Sequence, residues 1–225
     1  MMWTIRKMKE RGKAAFRANY WPSVAVALLM SLFAGVASVS SRSSDTGEYE
    51  SLVESGDTAA VVALLAGSLI VIVIVLLIKI FLVNPIELGG VAFFTENTEV
   101  GPVPFGTMKR GFRNYGHNFA VLFLRDLYLF FWCLLFIVPG LIKAYSYRMV
   151  PYILAEHPEL SANEVITRSR RMMVGNKWRA FMLDLSFLGW ILLGALTMGL
   201  VNVFWTAPYM ESAQAALYLK LRDAA

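Results

Sequence analysis

Charge is scarce in this chain, and so are the residues that bring soft-ligand or redox chemistry. Of 225 residues only 16% are Asp, Glu, Lys or Arg, one is cysteine and two are histidine. A soluble domain carries about one quarter charged residues, so the shortfall argues against an ordinary soluble fold. The single Cys133 excludes an internal disulfide and, set in an apolar run, reads as a packed core residue. His117 and His157 are far apart and lack ligand spacing, so neither a metal nor a cofactor is expected. Paired carboxylates, a nucleophile beside a base and a phosphate-binding glycine loop are also missing, and no catalytic residue is named. His157 with Glu156 and Glu159 comes nearest, but Pro158 and Ser161 explain that cluster as the start of a helix.

What is present is apolar surface in long runs. The hydrophobic fraction is 57% and the mean hydropathy +0.56, which at this length predicts one integral membrane domain over residues 1–225. The formal charge is +5 and the pI about 9.4. These bases flank the apolar runs, where anionic headgroups and the positive-inside rule draw them, and no nucleic-acid motif accompanies them. The expected partners are the lipid bilayer, its anionic headgroups and an unidentified membrane protein, not nucleic acid.

Residues 1–19 carry Arg6, Lys7, Lys9, Arg11, Lys13 and Arg17 against Glu10. They read as a basic cytoplasmic lead-in with Trp3 and Phe16 turned to the membrane surface. Asn19-Tyr20-Trp21-Pro22 opens a first span to about Val39, an uncleaved helix rather than a signal peptide. Residues 40–58 hold five acids against Arg42 and predict an acidic outer loop. Ala59–Val83 is the strongest span, with Lys79 near its end, and Asn84-Pro85 predicts its stop. A Gly- and Pro-rich connector carrying Lys109, Arg110 and Arg113 follows to Asn118. Phe119–Val138 forms the third strong span, ended or kinked at Pro139-Gly140, and Phe181–Trp205 the fourth. Between them, residues 157–180 predict a basic cytoplasmic amphipathic helix, begun by Ser161 with Glu164 three residues on and stopped at Gly175. Its apolar face lies on the membrane or against the bundle. Arg168, Arg170, Arg171, Lys177 and Arg179 beside Trp178 are the candidates for anionic-lipid contact.

Four spans fit hydropathy but fail on charge. Strict alternation puts residues 143–180, with seven Lys and Arg, on the outside, against the positive-inside rule. If Leu141–Glu156 and Ala207–Leu221 return as weak helices, every basic segment is cytoplasmic, the N-terminus included. The expected fold is therefore all-α: a polytopic membrane bundle of six helices, four strongly hydrophobic and two weak or re-entrant, with interfacial amphipathic helices added. In it Lys79, Arg125, Asp126 and Asp184 lie at similar depth, as a structural layer or a transport path. A charge in lipid costs about 2.5–3.5 kcal/mol or more, so each needs a partner, and an Arg125–Asp184 pair is expected.

A set of local sequences carries a family likeness. It comprises Arg125-Asp126-Leu127-Tyr128-Leu129, Ile137-Val138-Pro139-Gly140, Lys143-Ala144-Tyr145-Ser146-Tyr147 and Met149-Val150-Pro151-Tyr152. Met172-Met173-Val174-Gly175-Asn176-Lys177-Trp178 and Leu183-Asp184-Leu185-Ser186-Phe187-Leu188-Gly189-Trp190 continue it, and Asn19-Tyr20-Trp21, Asn84-Pro85 and Pro208-Tyr209 extend it. In these the chain resembles the bacterial integral membrane family catalogued as domain of unknown function 975. The resemblance implies a multi-pass protein of the bacterial cytoplasmic membrane and supplies no activity. Ile137–Gly175 is more distantly similar to the membrane domain of some glycerophosphodiester phosphodiesterases, without their catalytic residues. The leading functional expectation is a non-enzymatic accessory, partner- or lipid-binding membrane component. The alternative is a transporter or channel component using Lys79, Arg125, Asp126 and Asp184; a membrane enzyme is a third reading.

Overall fold

A computed structural model describes residues 3–39 and 58–224; these are helical apart from short connectors, with no strand among the described residues. In chain order the helices are α1 (Ile5–Ala18), α2 (Tyr20–Val39), α3 (Thr58–Ile78), α4 (Asn84–Glu99), α5 (Tyr115–Leu135) and α6 (Ile137–Tyr147). There follow α7 (Val150–Glu156), α8 (Ala162–Met172), α9 (Lys177–Leu185), α10 (Leu188–Leu196) and α11 (Ala207–Arg222). Lys79–Val83 and Asn202–Thr206 are π-helical and Phe105–Phe112 is 3-10. The acidic 40–58 segment falls, except for Thr58, outside the described residues.

Asn84-Pro85 does not stop its helix. The chain stays helical from Thr58 to Glu99, passing through the π segment just ahead of Pro85. Proline lacks an N–H and crowds the carbonyl four residues back; a wider π turn at that point relieves the crowding without ending the helix. The same joint recurs where Asn202–Thr206 precedes Pro208. There the Phe204 carbonyl, four residues before Pro208, accepts from the Tyr20 hydroxyl at 3.1 Å.

Two reversals fold the apolar runs into hairpins. α5 breaks at Phe136, whose backbone is extended (φ −158°, ψ 140°), and α6 returns along it. The turn therefore falls before Pro139-Gly140 rather than at it. Pro139 occupies the first turn of α6, where its missing N–H is harmless. Gly140 faces Cys133 so closely that a Cβ would stand 2.6 Å from the Cys133 Sγ. Lys143 then stacks its Nζ 4.2 Å from the centre of the Trp132 ring. Cys133 is exposed, not a packed core residue.

The second reversal is at Thr197–Gly199, with Met198 and Gly199 both at positive φ (53° and 90°). The predicted span Phe181–Trp205 thus straddles a turn, and Val201–Trp205 lies on the returning limb. Gly194 abuts the Asn202 side chain across it, and Phe187 meets Tyr209 with ring centres 5.0 Å apart. α2 packs beside the α3–α4 helix, where Met30 reaches Gly90.

Apolar residues divide into two populations. On the hairpins they face outward: Leu134, Leu135, Phe136, Val138, Leu141, Leu196 and Met198 are all exposed, Met198 at 97%. Toward the opposite ends α1, α4, α7, α8 and α11 bury theirs, with Phe16, Phe93, Phe94, Ile153, Leu154, Leu217 and Tyr218 essentially inaccessible. The lead-in helix α1 is part of this core. Trp3 and Phe16 are buried in protein instead of facing a membrane: Phe16 packs edge-on to Trp205, and the Trp3 Nε1–H donates to Asn176 Oδ1 at 2.8 Å. Gly12 lets α1 approach the backbone of Ser212 and Ala213 where a Cβ would clash at 2.5 Å.

Candidate functional site

The charged candidates Arg125, Asp126 and Asp184 each have a partner, though not the expected one. Arg125, on α5, donates from Nη1 and Nη2 to the two Glu87 oxygens at 2.8 and 3.3 Å. Its Nε also reaches Asp126 Oδ1 at 2.9 Å, so Glu87 and Asp126 share one guanidinium. Asp184, on α9, is held elsewhere. Arg148 grips it through Nη1 and Nη2 at 2.5 and 2.7 Å, and the Tyr145 hydroxyl donates to Oδ2 at 2.9 Å. The expected Arg125–Asp184 pair does not form.

The physical reason is reach and valence. A guanidinium matches a carboxylate as a two-pronged fork, and each Arg already has such a partner on the element packed against it: Glu87 from the first turn of α4, Asp184 from α9. Neither Glu87 nor Arg148 is singled out by the sequence reading. Glu87 is the only charged residue in the apolar stretch Ile80–Phe94, and Arg148 joins Lys143 in interrupting the likewise apolar Leu141–Ala155, so both stand out by the same signal as Arg125.

Glu211, on α11, lies within the field of Arg148, Glu87 and Asp184. Glu87 and Glu211 both line a cavity of about 200 Å³ with Ala27, Met30, Ser31, Val83, Ile86 and Ala207. Lys79 lies in the adjoining π segment; its side chain is outside the described residues.

The basic candidates separate onto different surfaces. α8 begins as the sequence indicates: the Ser161 backbone N–H and hydroxyl both donate to Glu164 Oε2, at 2.9 and 2.6 Å. Those bonds hold the Glu164 carboxyl below its ordinary range. Val165, Ile166 and Met172 are buried, so the apolar face of α8 lies against the bundle. Arg168 and Arg171 line a groove of about 630 Å³ with Asn163, Thr167 and Arg222. Arg222 is itself clamped to Glu99 at 2.6 Å and Glu156 at 2.5 Å, and the Tyr218 hydroxyl also donates to Glu156. Arg170 and Lys177 do not line that groove, and their charges act on Lys143. Trp178 stands 70% exposed, and Arg179 donates to the Trp3 carbonyl at 3.3 Å.

Among the described residues the protein is all-helical, and two helices, Tyr115–Leu135 and Lys177–Leu196, are long and apolar enough to cross a membrane by length and composition. Residues 119–225 match the family described as Protein of unknown function (DUF975), the family that the sequence resembles. The matched region contains Arg125, Asp126, Arg148 and Asp184, while Glu87 and the Asn19-Tyr20-Trp21 joint precede it. No curated protein and no solved structure matches the chain.

Proposed function

We propose that the chain is a multi-pass protein of the bacterial cytoplasmic membrane, acting as a non-enzymatic accessory that binds anionic lipid or a membrane partner through a basic cytoplasmic base. In this reading α2 with α3, α5 with α6, and α9–α10 with the limb returning into α11 cross as three pairs. The N-terminus and the base formed by α1, α4, α7, α8 and α11 lie in the cytoplasm. The observation that carries it is the division of apolar surface. Leaving a Leu- or Phe-sized side chain in water costs about 1.5–3 kcal/mol. The seven exposed side chains at the two hairpin ends alone therefore amount to about 10 kcal/mol, comparable with the ~5–15 kcal/mol net stability of a domain. A lipid surround removes that cost. The bases supply the orientation, since Lys9, Lys13, Arg17, Arg110, Arg168, Arg170, Lys177 and Arg222 all belong to the base or its margin. Alkaline carbonate washing of bacterial membranes tests the reading: the protein stays in the pellet, and release into the supernatant would overturn it.

One observation favours a transporter or channel component instead. The cavity holding Glu87 and Glu211 adjoins both π joints, and such wide turns often mark functional positions. Flux of protons or monovalent cations into proteoliposomes, abolished by Glu211→Gln, would favour this second reading over the first.

A further inference from the structure

Beside α6 and α9 the protein presents an apolar slot with a lysine at its edge. Leu141, Ile142, Tyr145, Trp178 and Phe181 line it, with Lys177 at its edge, in a groove of about 380 Å³. Trp178 and Phe181 pack with ring centres 5.3 Å apart, and Tyr145 meets Phe181 edge-on at 6.1 Å, giving the slot a firm aromatic wall. α6 packs against both α8 and α9, so Lys143, whose Nζ lies over the Trp132 ring, stands within the field of Arg170 on α8 and Lys177 on α9. Among the described residues none of the three forms a salt bridge, and the nearest carboxylate bonded to the slot, Asp184, is taken up by Arg148 and Tyr145. Like charges gathered without a counter-charge repel one another, so the arrangement is stabilised when an anion sits among them. The lining narrows the choice of anion. A soluble phosphate has no use for an apolar slot, whereas a lipid has both a charged head and a chain that seeks such a surface.

We propose that this slot holds one anionic glycerophospholipid of the cytoplasmic leaflet, its phosphate among Lys143, Arg170 and Lys177 and one acyl chain along Leu141, Ile142, Trp178 and Phe181. The proposal rests on the membrane reading above and narrows its lipid contact to a single place. It also divides the basic candidates: Arg170, Lys177 and Trp178 touch the lipid, whereas Arg168 and Arg171 face the separate groove beside Arg222. Each cation contributes about a five-fold preference for the anionic head.

Native mass spectrometry of the detergent-solubilised protein, titrated with phosphatidylglycerol or phosphatidylcholine of the same chains, tests it. Wild type retains one phosphatidylglycerol in preference to phosphatidylcholine. The Lys143→Gln/Lys177→Gln double variant loses that preference by roughly 25-fold, and Lys143→Arg/Lys177→Arg keeps it. Arg168→Gln/Arg171→Gln retains the lipid as wild type does. Equal retention of both lipids, loss in the arginine variant, or loss in the Arg168/Arg171 variant would each overturn the proposal. So would displacement by soluble glycerol 3-phosphate at matched concentration, because the acyl chain would then contribute nothing. Carbonate washing separates the two levels: a protein that stays in the membrane but shows no lipid preference refutes the slot alone.

Discussion

Arg148 and Asp184 offer the sharpest test of how the apolar helices are tied together. The pair is two-pronged, at 2.5 and 2.7 Å, with Tyr145 donating a third bond to the same carboxylate. Removing one member of a buried pair costs about 3–5 kcal/mol, because the remaining charge is left uncompensated. The Arg148 and Asp184 side chains keep 15% and 29% exposure, and partial screening brings the expected loss nearer ~2–3 kcal/mol. Asp184→Ala or Arg148→Ala should therefore lower the unfolding midpoint in mild detergent by about 4–12 °C, at ~2–4 °C per kcal/mol for a chain of this size. The double variant should be little worse than either single one, giving a coupling of about 1.5 kcal/mol or more. Arg125 has its own partners, Glu87 and Asp126, so the Arg125→Ala/Asp184→Ala cycle should be additive within ~0.5 kcal/mol. Additivity at 148/184, or strong coupling at 125/184, would refute the pairing.

Two further outcomes follow from single contacts. Gly140→Ala should destabilise the α5–α6 hairpin by about 1–3 kcal/mol, since its Cβ would meet Cys133 Sγ at 2.6 Å and Cα at 3.0 Å; Cys133→Ala should relieve part of that loss, as read from the midpoints of the single and double variants. At the start of α8 the Glu164 carboxyl is depressed below its ordinary 4.5 by the bonds from Ser161. A carboxyl lowered by folding contributes stability above its unfolded pKa and loses it as pH falls through the folded one. Hydrogen exchange at Val165, corrected for its intrinsic pH dependence, should thus quicken as the pH falls below 4.5 in wild type and show no such change in Glu164→Ala.

The sequence made the helical class, the apolar runs and the charged residues among them readable, because hydropathy and charge are local properties. The start of α8 was readable too, since the Ser161–Glu164 box is written within four residues. Reversal points were less so. Pro139-Gly140 looks like a turn, yet Phe136 takes the extended backbone, and proline is comfortable in the first turn that follows. At Asn84-Pro85 and Ala207-Pro208 the local signal for a stop is overridden by π joints, and at the second Tyr20 meets the freed Phe204 carbonyl from another helix. Ion-pair partners were hidden for a similar reason: Glu87 and Arg125 are 38 residues apart and meet only because α4 and α5 pack together. Trp3 and Phe16 carry the amphipathic pattern of a membrane-surface helix. Only the fold shows that Trp205 and Asn176 supply the apolar and polar surface they need.

The central claim is that the hairpin ends and the basic base lie on opposite sides of one membrane. Single cysteines placed in a Cys133→Ala background test it most directly, at Met198→Cys on the second reversal and at His157→Cys and Lys220→Cys on the base. With a membrane-impermeant maleimide added to intact cells of a strain with a permeable outer barrier, Met198→Cys should label while His157→Cys and Lys220→Cys label only after lysis. Labelling of all three from the same side would contradict the account.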